Sequence, residues 1–115
     1  MDRILLKSKI HRATVTGADL HYEGSIAIDE DLLERSDILP YEQVHVFNIH
    51  TGSRLITYAI PAPRRSGTIM LNGAAARLGQ VGDKVIIVAF ASVAYQESRG
   101  WKPRIVLVDD QNRPL

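Results

Sequence analysis

Short runs of apolar and β-branched residues recur along the chain, and their spacing predicts strands rather than long helices. QVHVFNI (residues 43–49) alternates between two faces, and a short connection containing Gly52 predicts a hairpin into SRLITYAI (residues 53–60). The continuous apolar run DKVIIVAFASV (residues 83–93) is typical of a strand buried on both faces. Two further strands are predicted in RILLKSKIHRATVT (residues 3–16, long or bent) and RIVLVD (residues 104–109).

Two or three short helices fit between these strands. DEDLLERS begins with Asp29 as a candidate N-cap and is followed by Pro40. NGAAARLG has Asn72 before the helix and Gly79 as a candidate C-cap, and YQESRG predicts one further turn. No connection is long enough for repeated crossover helices, so a parallel α/β sheet is disfavoured. The sequence predicts a mainly β fold, a closed or nearly closed small β-barrel with minor helices.

Composition narrows the class of protein. The 115 residues, 45% of them hydrophobic, suit a single domain over residues 1–115. Fourteen Lys and Arg against thirteen Asp and Glu leave a net charge of +1, which predicts neither a nucleic-acid nor a membrane partner. The absence of cysteine excludes thiolate catalysis, and the first ten residues do not read as a signal peptide. We therefore expect a cytoplasmic protein.

The polar residues on the predicted strands leave alternatives open. Lys7, Lys9 and His11 alternate on one strand face, either as an ordinary solvated face or as a cationic strip for carboxylates. The four histidines form no recognisable ligand pattern, so no metal is expected. Arg54 and Tyr58 lie on one face of a predicted strand, about 13 Å apart. Arg54 could bind a carboxylate while Tyr58 donates a proton, or both could simply be the polar ends of an amphipathic strand.

Two small-residue segments are also ambiguous. Gly73, Ala74 and Ala75 open a predicted helix, which suits either an anion near the backbone or tight packing. Gly24-Ser25, within HYEGSIAID, reads first as a turn. The alternative is a self-cleaving bond, in which the serine hydroxyl attacks the preceding carbonyl and glycine removes steric crowding. Composition does not decide between them.

Three segments, in this order, carry a family resemblance: KSKIHRATVTGADLHYEGSIAID, TGSRLITYAI and MLNGAAARLGQVGDKVIIVAFA. Over residues 4–103 the chain resembles the pyruvoyl-dependent aspartate 1-decarboxylase family. The resemblance implies a double-psi β-barrel, a homotetramer with active sites between subunits, and an inactive proenzyme. It also implies decarboxylation of L-aspartate to β-alanine for pantothenate synthesis. Unlike many relatives, the chain carries Ile26 and Phe47 in place of Cys and Trp.

The resemblance further implies that Ser25 Oγ attacks the Gly24 carbonyl in an N-to-O acyl shift. Elimination and hydrolysis then release ammonia and leave residues 1–24 and 25–115, the latter beginning with a covalent pyruvoyl group. The substrate amine would form a Schiff base with this ketone, with no metal and no pyridoxal phosphate.

Individual roles follow from the same resemblance. Tyr58 matches the proton donor, and Thr57 matches a hydroxyl used in self-cleavage and in substrate binding. Adjacent strand residues point to opposite faces, so the two meet at one site only if the strand bends or the site spans an interface. The implied substrate-binding residues are Lys9, Arg54, Thr57, Asn72, Gly73, Ala74 and Ala75, with His11 and Tyr22 as neighbours.

Two other hypotheses remain. The chain could be a non-catalytic small β-barrel that binds an anionic or nucleic-acid partner through its basic first strand, or an unprocessed family member that serves as a scaffold. A salt-dependent gel shift would support the binding barrel. Balanced charge and few aromatic residues count against nucleic-acid binding.

Overall fold

The computed structural model describes residues 1–23 and 25–115. This part of the chain is mainly β, with two short α-helices and one 3₁₀ helix. The helices are α1 (Glu30–Ser36), the 3₁₀ helix (Gly73–Leu78) and α2 (Tyr95–Ser98). The strands are β1 (Asp2–Thr14), β2 (Gly17–Asp19), β3 (Ser25–Asp29), β4 (Gln43–Asn48), β5 (Arg54–Ala62), β6 (Ile69–Asn72), β7 (Lys84–Ala94) and β8 (Arg104–Leu107).

The strands form one sheet in the order β2-β6-β3-β5-β4-β7-β1-β8, and the path of β1 into β2 requires this sheet to roll. Only Val15 and Thr16 separate β1, the seventh strand, from β2, the first. Three residue steps span at most about 11 Å, whereas six strand spacings on a flat sheet would be about 29 Å. The rolled, mainly β architecture with few short helices confirms the predicted fold class.

The interior of the rolled sheet is aliphatic, and β3 is buried at all five positions. The largest fully buried side chains of this interior include Ile10, Ile26, Ile28, Leu32, Ile69, Leu71 and Ile87. The prediction that residues 83–93 are buried on both faces was wrong for most of β7. Consecutive burial is confined to residues 87–89, and Phe90 is 41% exposed, because beyond this point the outer face of β7 meets solvent.

Of the two residues predicted to cap helices, Asp29 is an N-cap, whereas Gly79 is not a left-handed C-cap. Asp29 caps α1 as expected, accepting a hydrogen bond from Asp31 N at 2.9 Å. The helix predicted in residues 72–79 is a 3₁₀ helix, and Gly79 is extended (φ −167°) rather than a left-handed C-cap. A Cβ at position 79 would lie 2.6 Å from Leu71 Cδ1, so any larger residue there would force the buried Leu71 side chain to shift.

The C-terminal tail is part of the fold. β8 pairs with β1 in parallel, and the side chain of Asn112 is buried behind it. Its Oδ1 accepts from Thr14 N at 2.7 Å, and its Nδ2 donates to Thr14 O and Gly67 O at 2.8 Å each. The tail thus joins β1 to the connection between β5 and β6. None of the helices described here is long and apolar enough to cross a membrane.

Candidate active site

A cavity of about 200 Å³ lies beside Ser25. It is smaller than the roughly 300–1,000 Å³ of drug-sized ligand pockets, so it suits a small ligand. The cavity is lined by Ser25, Leu55, Ile56, Thr57, Tyr58, Asn72, Ala74, Ala75 and Leu78.

The cavity lies against a free edge of β5. β3 pairs with β5 from Ile26–Ala59 onward, so none of the described residues of β3 pairs with the part of β5 before Ala59. On its other edge this part pairs with β4, including the pair Gln43–Tyr58. A cavity at a strand edge is reached from both faces of the strand, which is why Thr57 and Tyr58 both line it although their side chains alternate.

Ser25 is the first residue of β3 and is 1% exposed. Its φ of 154° belongs to a region that residues other than glycine rarely occupy, at a cost of order 1–3 kcal/mol. Such strain clusters at functional sites. The backbone at Ser25 is therefore strained beside the cavity, while Gly24, the other half of the predicted self-cleavage bond, lies outside the described residues.

Asn72 is the polar partner of Ser25. The two residues pair across β3 and β6, and Asn72 Nδ2 donates to Ser25 Oγ at 3.3 Å. Asn72 is 1% exposed, and its Oδ1 has no hydrogen-bond partner among the described residues. A buried acceptor without a donor costs about 1–3 kcal/mol. The amide is therefore set up to accept a hydrogen bond from a group that enters the cavity.

Several predicted site residues lie outside this cavity in the single chain. Lys9 pairs with Val88, which pairs with His45, which pairs with Ile56 on β5. Three strand spacings separate the two ends of this row, about 14 Å along the sheet. The structure therefore brings together Ser25, Thr57, Tyr58, Asn72, Ala74 and Ala75, whereas Lys9, Arg54, Gly73, His11 and Tyr22 do not line the cavity.

Arg54 lies at the start of β5 on the solvent side, where its guanidinium carbon is 4.6 Å from the centre of the Phe47 ring. This stacking orients the guanidinium while leaving its edge free for an anion. Leu55, Ile56 and Leu78, which the sequence did not single out, supply apolar walls of the cavity. Only the free edge of β5 would have identified them, and no sequence pattern reports it.

The basic face of β1 is only partly free. Lys7 Nζ is 2.7 Å from Glu42 Oε2, an ion pair that removes one charge from the predicted cationic strip. Burial, with smaller contributions from the charges of Lys9 and Arg12, lowers the pKa of His11, so the neutral imidazole is favoured. Residues 1–23 and 25–115 contain no cluster of three or more metal-ligating side chains.

Comparisons with known proteins identify the same family over the whole chain. A family model described as aspartate decarboxylase matches residues 1–115. The chain is 62% identical to aspartate 1-decarboxylase of Phenylobacterium zucineum, over 94% of this chain and 92% of the relative. It is 60% identical to aspartate 1-decarboxylase of Carboxydothermus hydrogenoformans (95% and 86%) and 57% identical to that of Syntrophus aciditrophicus (98% and 97%).

Proposed function

Because the chain belongs to the aspartate decarboxylase family, we propose that it converts L-aspartate to β-alanine and CO2 in the cytoplasm, a step toward pantothenate and coenzyme A. The observation that carries this proposal is the cavity at Ser25, where a buried, strained serine accepts a hydrogen bond from Asn72, whose amide oxygen has no partner among the described residues. A small cavity of this size, with a few polar groups among apolar walls, suits a four-carbon amino acid.

The first step of the proposal is self-cleavage of the bond before Ser25. Ser25 Oγ attacks the Gly24 carbonyl carbon, and the peptide C–N bond is exchanged for an ester. Elimination across the former serine releases residues 1–24 with a free carboxylate, and hydrolysis then releases ammonia. The strained backbone of Ser25 supports this step, since leaving the serine conformation relieves the strain. Asn72 Nδ2 holds the attacking oxygen, and Thr57 is the second hydroxyl at the cavity.

The residues around position 25 fit a covalent pyruvoyl group there. The position is buried, and no residue that the structure describes donates to Asn72 Oδ1, so a substrate N–H could do so. Such a group, in place of metal or pyridoxal phosphate, provides the electron sink for loss of the carboxylate. Tyr58 is the proposed proton donor to the substrate carbon. Ala74 and Ala75 leave room for the substrate near the backbone.

We also propose that a neighbouring copy completes the site within a homotetramer. L-aspartate carries two carboxylates, yet none of the described residues that line the cavity is charged. Lys9 and Arg54, the proposed carboxylate ligands, lie outside the cavity, as do Gly73, His11 and Tyr22. The outer face of the sheet that carries Arg54 also exposes apolar side chains, Ile56 at 61% and Phe90 at 41%. A second copy packed there would bury this apolar surface.

An intact mass spectrum under denaturing conditions tests processing. We expect two species, residues 1–24 and a remainder that is lighter than simple hydrolysis predicts by one ammonia, and a single mass for Ser25→Ala. The processed protein should release β-alanine from L-aspartate, and light scattering should give four copies. A full-length mass that persists after prolonged warming, with no β-alanine formed, would overturn the proposal.

A further inference from the structure

A second polar cavity, of about 260 Å³, lies between the end of α1, the connection from β5 to β6, and the C-terminal tail. Three arginines on these three segments line it, Arg35, Arg65 and Arg113. Asp29, which also lines this cavity, is the last residue of β3, whereas Ser25 is the first. Four residue steps along a strand separate them by about 13 Å. The arginine cavity is therefore distinct from the one at Ser25.

The carboxylates at this cavity already have partners. Asp29 is 3% exposed and accepts three backbone hydrogen bonds, two at Oδ1 from Asp31 N and Arg65 N and one at Oδ2 from Gly67 N. Asp31 Oδ1 is 2.7 Å from Arg64 Nη1. Arg64 also pairs with Glu34 and, at 3.7 Å, with Glu30. Arg64 therefore compensates the acidic side chains of α1.

The three arginines of the cavity have no such compensation. Among residues 1–23 and 25–115, no carboxylate oxygen lies within 4.0 Å of a guanidinium nitrogen of Arg35, Arg65 or Arg113. The three arginines are exposed around one cavity, so an anion from solution can reach all of them and would reduce the repulsion among their charges. Guanidinium groups bind phosphate oxygens through paired N–H donors, which makes a phosphate group a good geometric match.

We propose that Arg35, Arg65 and Arg113 form a binding site for a phosphate group, either free phosphate or the phosphate of a small ester. The cavity is below the size of typical drug-sized pockets, which favours a phosphate with a small substituent or none. Because Arg113 follows Asn112 in the tail, an anion here would join the tail to α1 and to the β5–β6 connection. Binding therefore stabilises the attachment of the tail.

Isothermal titration of the full-length protein with inorganic phosphate, at constant ionic strength set with sodium chloride, tests this site. We expect saturable binding, weakened about tenfold or more by each of Arg35→Gln, Arg65→Gln and Arg113→Gln. Arg99→Gln, an exposed arginine at the end of α2, is the matched control and should bind like the parent protein. Saturating phosphate should also raise the unfolding temperature of the parent protein and of the Arg99→Gln control, but not that of the three arginine variants.

Methyl phosphate separates the two sources of the ligand. Tighter binding of methyl phosphate than of inorganic phosphate assigns the site to an ester, and the reverse order assigns it to the free anion. The proposal is overturned if no saturable binding is seen, or if the three variants bind as tightly as the Arg99→Gln control. None of these measurements depends on decarboxylation or on processing at Ser25, so failure here leaves the proposed function standing.

Discussion

Asn48 Nδ2 donates to Asp83 Oδ2 at 2.8 Å, and Asn48 also connects the β4–β5 hairpin to the wall of the cavity beside Ser25. The same Nδ2 donates to Leu78 O at 3.1 Å, and Leu78 lines the cavity. Asn48 Oδ1 accepts from His50 N and Thr51 N in the hairpin that leads to β5. One buried amide therefore fixes both the end of the 3₁₀ helix and the start of β5.

The first prediction concerns Asp83. Hydrogen bonds from Asn48 and from Gln80 N, with a smaller contribution from the charge of His50, hold its pKa below the ordinary 3.8. A carboxyl whose pKa is lowered by folding stabilises the fold above the ordinary value, and this stabilisation is lost as pH falls through the lowered pKa. We expect Asp83→Asn to lower the free energy of unfolding at pH 7 by about 1–3 kcal/mol.

Urea unfolding at pH 7 and pH 3.5 measures this effect. The variant should lose less stability between the two pH values than the parent protein, because the carboxylate that becomes protonated is gone. Asp2→Asn, at an exposed position, is the control. Equal stability of Asp83→Asn and parent protein at pH 7 would contradict the assignment.

The second prediction separates turnover from processing. Tyr58 lines the cavity and is 38% exposed, so its hydroxyl can be removed without opening the core. We expect Tyr58→Phe to lower kcat for β-alanine formation by about 10²–10⁴-fold, the usual worth of a positioned proton donor. Denaturing mass spectra and light scattering should be unchanged. Full turnover by the variant would remove Tyr58 from the mechanism.

The third prediction compares two buried asparagines. Asn72 Oδ1 has no partner among the described residues, whereas Asn112 makes three hydrogen bonds to backbone groups. We expect Asn72→Leu to slow self-cleavage at least about tenfold without lowering stability, because the unpaired oxygen is removed together with the contact to Ser25. Asn112→Leu should lower stability by several kcal/mol, since each unpaired buried group costs about 1–3 kcal/mol.

Chemical denaturation and the time course of cleavage by mass spectrometry give both quantities. The contrast between the two asparagines is the decisive result. A loss of stability in Asn72→Leu as large as in Asn112→Leu would show that Asn72 is structural rather than reserved for a ligand.

The fourth prediction concerns Gly79. An alanine there would place its Cβ 2.6 Å from Leu71 Cδ1, a buried side chain, so something must shift. We expect Gly79→Ala to cost about 1–3 kcal/mol of stability, as overpacked cores do. Combining it with Leu71→Val should recover part of the loss, and a double-mutant cycle measures the coupling. Additive losses would mean that Leu71 is not the obstacle.

The fifth prediction uses His11, whose pKa is lowered mainly by burial. Below its ordinary value of 6.5 the unfolded chain binds the proton more readily than the folded chain, so stability falls as pH drops from about 6.5 toward the lowered pKa. His11→Gln should remove this part of the decline between pH 7.5 and pH 5 in urea unfolding. His21→Gln, at an exposed position, should retain it. Identical slopes for both variants would exclude His11 as the source.

The strands with clear alternation, such as β4, and the capped helix α1 were predicted from the sequence because local patterns determine them. The short strands β2 and β6 were not predicted as strands, since three or four residues carry too little periodicity. The residues alone left Ser25 ambiguous between a turn and a self-cleaving bond, and Asn72 was named as a binding residue only through the family resemblance. Their contact depends on pairing between β3 and β6, which are more than forty residues apart in sequence.

The position of β1 in the sheet has a consequence for how a processed molecule would unfold. β1 pairs with both β7 and β8, and it belongs to the fragment that precedes Ser25. Cleavage before Ser25 therefore leaves the small fragment held between two strands of the large one. Unfolding then separates two molecules, so recovery becomes second order in concentration. The processed protein should regain its fold in a step whose rate rises with concentration, whereas for uncleaved Ser25→Ala only assembly into the proposed homotetramer should depend on concentration.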